Sequence, residues 1–138
     1  MTKTITVTAT INAPIDKVWK LYTEPKHITK WNNASADWHT PWAKNDLKVG
    51  GRFVSRMEAK DGSAGFDFGG TYNEVKTNKQ LSYIIDGDKR KVSVTFSEAG
   101  ANTKVTVTFD PENENPEEVQ RDGWQSILNN FKKYIEGN

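Results

Sequence analysis

The sequence contains no cysteine, which removes several kinds of chemistry at once. Disulfide frameworks, thiolate zinc sites and cysteine nucleophiles are all excluded. Histidine is nearly as scarce: His27 and His39 stand apart from any metal-ligand spacing such as HExxH. GxSxG and GxxxxGK[ST] motifs are also absent. We therefore expect no metal, no cofactor and no catalytic residue, and the sequence favours a binding protein over an enzyme.

Neither sign of charge is in excess, and no long hydrophobic run is present. The chain has 19 Lys and Arg against 18 Asp and Glu, a net charge of +1. A nucleic-acid surface would require a clear basic excess, so no nucleic-acid partner is expected. The chain shows no signal-peptide pattern and no run of membrane-spanning length. These features predict a cytoplasmic protein without stable membrane insertion.

The composition that remains is typical of a globular domain. Hydrophobic residues make up 35% and charged residues 27% of the 138 positions. A chain of this length fits one domain, and no linker, repeat or low-complexity tract divides it. We expect residues 1–138 to form a single domain, and a monomer.

Most of the chain alternates in the manner of β-strands. In residues 3–12, Ile5, Val7, Ala9 and Ile11 alternate with threonines, which predicts a strand with one apolar face. Two short helices follow, up to about Trp31. Residues 32–49 are irregular and predict a loop with one short strand. Turn signals then separate five further strands, and these strands are predicted at residues 52–60, 66–75, 81–85, 91–96 and 103–109.

The last segment has helical spacing. Apolar residues recur at i, i+3, i+4, i+7 and i+11, which predicts an amphipathic helix over residues 116–136, with Asn115 as its cap. A lone helix must bury its apolar stripe, and the sheet is its available partner. Glycine pairs at residues 50–51 and 69–70 are candidates for bends or bulges, and Gly123 indicates close backbone approach or free volume. The residues alone leave open whether the sheet is filled or encloses a cavity.

Several segments resemble one family. They are residues 11–19 (INAPIDKVW), 23–27 (TEPKH), Trp31, 46–53 (DLKVGGRF), 61–62 (DG), 70–75 (GTYNEV), 81–83 (LSY), 123–124 (GW) and Leu128. Together they resemble the domain of activator of heat-shock-protein-90 ATPase homologues (AHSA1-like), in the START-like (SRPBCC) superfamily. The resemblance implies an α+β helix-grip fold: a curved antiparallel sheet of about six or seven strands around a long C-terminal helix, with two short helices after the first strand. It also implies a cavity between sheet and helix.

Candidate ligand-binding residues come from the aromatic side chains and from polar residues on apolar faces. Ser55, for example, lies between Phe53 and Met57 on one strand face. We expect the entrance between residues 38–42 and the C-terminal helix. The predicted ligand-binding residues are Trp31, Trp38, His39, Trp42, Phe53, Ser55, Met57, Phe68, Tyr83, Trp124, Ile127 and Phe131.

Three functions are consistent with this pattern. The leading hypothesis is binding of an apolar or amphipathic small molecule, lipid-like or aromatic. The alternatives are a chaperone-interacting, co-chaperone-like module and a cyclase- or hydrolase-type enzyme that would use the same cavity. Fold resemblance does not choose among them.

Overall fold

The computed structural model describes residues 4–33, 35–87 and 89–137. Lys3 in the first predicted strand, and Asp88 in the turn predicted after residue 85, lie outside these ranges. Eleven elements are assigned within them. In chain order they are β1 (Ile5–Ile11), α1 (Ile15–Thr23), α2 (Pro25–Trp31), β2 (Trp38–His39), β3 (Ala43–Asn45), β4 (Arg52–Ala59), β5 (Gly65–Lys76), β6 (Gln80–Ile85), β7 (Lys91–Ala99), β8 (Asn102–Phe109) and α3 (Glu117–Glu136).

The strands form one curled antiparallel sheet in the order β1-β8-β7-β6-β5-β4-β2, with β3 also paired to β4. All neighbours from β4 to β8 are consecutive in sequence, and β1 closes onto β8. The helix-grip α+β fold is therefore confirmed. The irregular segment contributes two short strands, β2 and β3, rather than the one predicted.

Strand alternation places one face of the sheet in the core. Ile5, Val7 and Ile11 of β1 are buried, whereas the threonines between them are exposed. β1 pairs with β8 along its length, from Ile5 opposite Phe109 to Ile11 opposite Thr103. The apolar faces of β1, β6, β7 and β8 thus form a continuous surface against which the helices pack.

The irregularity in β5 lies at Asn73, away from the predicted glycine pair. The register to β6 shifts between Tyr72 and Glu74, so Asn73 is the extra residue of a bulge. Gly70 pairs regularly on both sides, with Phe53 and with Ile85. A Cβ on Gly70 would lie 2.5 Å from the Ile84 carbonyl oxygen and 3.0 Å from the Phe53 ring. This glycine therefore permits close packing instead of forming a bulge.

Helix α3 begins directly after an extended proline. Pro116 occupies the N-cap position with φ −58° and ψ 148°, and no side chain caps the helix there. The predicted cap at Asn115 is wrong: its amide donates instead to the Glu112 carboxylate. The C-terminal half of the apolar stripe is buried, since Leu128, Phe131 and Ile135 pack into the core.

Side chains of α3 also cover the free edge of the sheet at β1. The Gln125 amide donates to the Thr8 carbonyl at 3.0 Å, and the Lys132 ammonium donates to the Thr10 carbonyl at 2.9 Å. Unpaired edge carbonyls would otherwise be available to another strand. No helix in the described part of the chain is long and apolar enough to cross a membrane.

Candidate functional site

A cavity of about 440 Å³ lies between the sheet and α3. Its walls come from α1, α2, β4, β5, β6, β8, the segment before α3, and the first half of α3 itself. The lining is mostly apolar and aromatic, with a few polar groups. The lining residues are Tyr22, Ile28, Trp31, Asn32, Phe53, Ser55, Met57, Phe66, Phe68, Tyr72, Leu81, Tyr83, Arg90, Val107, Glu112, Asn115, Val119, Gln120, Gly123, Trp124, Ile127 and Leu128.

Aromatic rings on the walls hold each other in place. Phe53 packs edge-on against Tyr83, with ring centroids 4.7 Å apart. Trp124 stacks flat on Phe109 at 4.3 Å, with 15° between the ring planes. The Trp31 indole donates to the Leu21 carbonyl at 3.0 Å, which satisfies its one polar atom. These walls are therefore largely pre-organised.

A hydrogen-bonded chain begins at the cavity-lining residue Tyr72 and connects three elements. The Tyr72 hydroxyl donates to Asn45 Oδ1 at 2.6 Å, and Asn45 Nδ2 donates to the Thr23 carbonyl at 2.6 Å. These two bonds connect β5, β3 and the end of α1. Because each side chain is paired, this chain is structural in character.

Three buried tyrosines stay protonated at neutral pH. Burial is the largest cause that raises the pKa of Tyr22, Tyr72 and Tyr83 above the usual phenol value. Each phenol is therefore a neutral hydrogen-bonding group. The cavity therefore presents neutral hydrogen-bonding groups within mostly apolar walls.

Gly123 in α3 faces free volume. It lines the cavity, and a Cβ built on it would meet nothing within 4 Å. Of the two explanations for a glycine inside this helix, free volume is therefore correct.

The cavity opens beside the N-terminal half of α3. Phe66 and Val119, which are 50% and 56% exposed, lie among its lining residues. Gln120 ties the segment before α3 to the helix: its amide donates to the Asn115 carbonyl at 2.8 Å, and the Glu112 N–H donates to its Oε1 at 2.8 Å. One side of the entrance is therefore held by a buried side chain.

The structure brings eight of the twelve predicted ligand-binding residues into the cavity wall, from α2, the middle strands and α3. These eight are Trp31, Phe53, Ser55, Met57, Phe68, Tyr83, Trp124 and Ile127.

The other four predicted residues lie outside the wall. Trp38 packs behind the rim against Phe66, with centroids 6.0 Å apart. His39 is on the same short strand, with its Nε2 atom 4.0 Å from Glu58 Oε1. Trp42 is 42% exposed and lies under the Lys44 ammonium. Residues 38–42 therefore approach the cavity through the contact of Trp38 with Phe66, and an entrance beside them stays a prediction.

Phe131 is also outside the wall, although it is fully buried. Its ring packs edge-on against Tyr22 and Trp31, with centroids 5.1 and 5.0 Å apart. Phe131 thus supports two lining residues from behind. The helical stripe predicted its burial but could not say which turn of α3 ends the cavity.

Sequence reasoning missed several lining residues, notably Tyr22, Tyr72 and Gln120. Tyr72 could have been found, since Phe68, Gly70 and Tyr72 alternate on one face of β5. Tyr22 follows Val18 and Trp19 at helical spacing, which predicts a short helix but not a place in the cavity wall. Gln120 carries no local signal, because its burial depends on how the segment before α3 folds back.

A second concavity is a less suitable ligand site. It lies outside the core and is lined by Asp16, Lys17, Lys20, His27 and Tyr134, among others. Its volume, about 510 Å³, is similar, but it is more open and more charged than the cavity under α3. In the described part of the chain, no three His, Asp or Glu side chains form a group that could hold a metal ion.

Comparisons with known proteins agree with this architecture. An AHSA1-like protein from Aeromonas hydrophila is 46% identical, with a TM-score of 0.92 over 98% of this chain and 93% of that one. A protein from Cytophaga hutchinsonii is 55% identical, with a TM-score of 0.83 over 97% and 92%. A protein from Nitrosomonas europaea shares the fold at 18% identity, with a TM-score of 0.83 over 97% and 94%. No curated protein matches the sequence.

The family profile described as activator of Hsp90 ATPase homolog 1-like protein matches residues 12–136. This range runs from the end of β1 to the last residue of α3, so it includes nearly all of the wall-forming elements. The chain therefore belongs to the family of activator of Hsp90 ATPase homolog 1-like proteins.

Proposed function

We propose that the protein binds an apolar or amphipathic small molecule, lipid-like or aromatic, in the cavity between the sheet and α3. The supporting observation is the cavity itself, whose volume of about 440 Å³ is within the usual range for small-molecule sites. Its walls are apolar, with a small number of polar groups, as such sites require. The fold of this family commonly encloses a ligand-binding cavity.

The glycine in α3 adds independent support. A glycine inside a helix costs about 1 kcal/mol relative to alanine. Here an alanine methyl group would meet no neighbour within 4 Å. Glycine at this position thus lowers the stability of the helix but leaves room in the cavity. This is the expected arrangement if the cavity binds a ligand.

A cavity-filling variant tests the proposal. In Gly123→Leu the new side chain projects into the free volume, whereas Asp122→Leu places the same side chain on the exposed neighbour. The probe is the neutral fluorophore N-phenyl-1-naphthylamine, followed by its fluorescence increase on binding. We expect wild type and Asp122→Leu to bind it and Gly123→Leu to bind at least about tenfold more weakly, because the pocket volume is occupied.

Equal binding by all three proteins would contradict the proposed site. Native mass spectrometry of protein purified from its own host then identifies the natural ligand class. A retained apolar compound in the wild type that is absent from Gly123→Leu would connect the natural ligand to the same cavity.

The family description supports a second candidate, interaction with a chaperone of the heat-shock-protein-90 class. The exposed aromatic side chains Trp42 and Phe66 lie outside the core and are available to a partner. Pull-down with the purified chaperone tests this candidate. Failure to interact at micromolar concentration would eliminate it, and loss of an observed interaction in Trp42→Ala would locate it.

A further inference from the structure

Three hydroxyl groups on the cavity wall have no hydrogen-bond partner in the part of the chain that the structure describes. They belong to Tyr22 on α1, Ser55 on β4 and Tyr83 on β6. Among the described residues, none of these oxygens makes a hydrogen bond. Ser55 is 4% exposed and lines the cavity, so the accessible part of this residue faces the cavity space. These hydroxyls are thus available to a group that enters the cavity.

Tyr72 provides an internal comparison. Its ring lies 6.2 Å from that of Tyr83 on the neighbouring strand, yet its hydroxyl is engaged by Asn45. The two adjacent tyrosines thus differ in whether the hydroxyl is paired. The Tyr72 hydroxyl is bonded to Asn45, whereas the Tyr83 hydroxyl is available to a ligand.

All three side chains with unpaired hydroxyls line the same cavity. Tyr22 is near enough to Tyr83 for its ionisation to raise the pKa of the Tyr83 phenol. Ser55 is on the same face of β4 as Phe53, whose ring touches Tyr83. Burial raises the pKa of Tyr22 and Tyr83, so both keep their protons and can donate.

The charged groups of the wall do not favour an anion here. Glu112 lines the cavity near the entrance, and the segment 110–122 carries six carboxylates and one arginine. Arg90 also lines the wall, and its positive charge acts on the Tyr83 phenol, but burial is the larger influence on the pKa of that phenol. The carboxylates near the entrance disfavour a charged ligand oxygen, whereas a neutral oxygen needs only donors.

We propose that Tyr22 and Tyr83 form a hydrogen-bonding subsite for a neutral acceptor oxygen, such as a carbonyl, on an otherwise apolar ligand, and that Ser55 offers a further donor on the same cavity wall. This inference rests on the proposed function and names the chemistry of its ligand. Each hydroxyl can donate one hydrogen bond, and a carbonyl oxygen accepts two. A hydrocarbon of equal shape would bury the hydroxyls unpaired and bind more weakly.

Two probes of nearly equal shape test the subsite. Benzophenone and diphenylmethane both carry two phenyl rings, and they differ in the carbonyl that replaces a methylene group. Affinities are measured by calorimetry, and the location by amide chemical-shift changes in NMR spectra. We expect wild type to bind benzophenone about five- to tenfold more tightly than diphenylmethane, the usual effect of a hydrogen bond in an enclosed site.

The variants assign the selectivity to particular hydroxyls. Tyr83→Phe and Tyr22→Phe should each lower this selectivity and leave diphenylmethane binding unchanged, and Ser55→Ala should lower it less. Tyr72→Phe is the matched control and should keep the selectivity, because its hydroxyl is already paired with Asn45. Thermal unfolding should show Tyr83→Phe as stable as wild type, since the removed hydroxyl has no protein partner.

The outcomes separate the two proposals. Equal affinity for both probes, unaffected by Tyr83→Phe, would overturn the subsite and leave binding in the cavity intact. Tighter binding of 4-benzoylbenzoate through its carboxylate, lost in the same variants, would overturn the preference for a neutral oxygen. Failure of both probes to shift any cavity resonance would contradict cavity binding itself, and with it the subsite.

Discussion

At the residue scale, two glycines have opposite roles although both lie inside regular elements. Gly70 is in contact with the Ile84 backbone and the Phe53 ring, so no side chain fits. Gly123 faces the cavity, where a side chain would meet nothing. The same residue type therefore enables close packing in β5 and preserves free volume in α3.

Alanine substitutions at these glycines should change stability in opposite directions. Gly123→Ala should raise the free energy of unfolding by about 0.5–1 kcal/mol, because alanine is the better helix former and the methyl group is unhindered. Gly70→Ala should lower the free energy of unfolding by at least about 1 kcal/mol, because overpacking strains the sheet. Urea unfolding of both variants measures these changes. Destabilisation by Gly123→Ala would show that the space beside it is not free.

At the element scale, α3 is held by two kinds of contact. Its second half is buried against the core through Leu128, Phe131 and Ile135. Its first half borders the cavity and is held there by the stacking of Trp124 on Phe109 and by hydrogen bonds of Gln120 and Gln125. The cavity thus weakens the attachment of one half of the helix and makes Trp124 important for holding it.

Truncation of Trp124 should reveal this dependence. Trp124→Ala removes a stacked ring from the fully buried Phe109 and should lower the free energy of unfolding by about 3 kcal/mol. Hydrogen exchange should increase more in the first half of α3 than around Ile135. Val119→Ala on the exposed side should stay within about 0.5 kcal/mol of wild type. A change of similar size in both variants would contradict the role of Trp124.

At the scale of the whole molecule, the three buried tyrosines couple folding to alkaline pH. In the unfolded chain each phenol ionises near pH 10, whereas in the folded protein burial raises the pKa of Tyr22, Tyr72 and Tyr83 above that value. Above pH 10 the unfolded state has therefore lost protons that the folded state keeps. Stability contributed by these groups is fully present below pH 10 and falls as pH rises further.

The pH dependence of unfolding should show this coupling. The free energy of unfolding should fall above pH 10 by about 1.4 kcal/mol per pH unit for each buried tyrosine. Urea unfolding at several pH values measures the slope for wild type and for Tyr83→Phe. In Tyr83→Phe the free energy of unfolding should fall less steeply with pH, by the contribution of one tyrosine. An unchanged slope would show that Tyr83 ionises normally in the folded protein.

The sequence by itself determined the elements and the fold. Period-two alternation in β1 and the spacing of Leu128, Phe131 and Ile135 in α3 are local patterns, and each follows from which face must be buried. The family resemblance over most of the chain supplied the way in which helix and sheet combine. Eight wall residues followed from the same patterns, because a side chain on the apolar face of a strand or helix points into the space between them.

Only the tertiary structure decided which part of that apolar space is filled and which is empty. Phe131 and Trp124 belong to one stripe, yet one is core and the other is cavity wall, since the curvature of the sheet sets its distance from each turn of α3. Local pattern likewise could not distinguish Tyr72, paired with Asn45, from Tyr83, which has no such partner. Burial is encoded along the chain, whereas free volume and unpaired hydroxyls result from distances between elements that are remote in sequence.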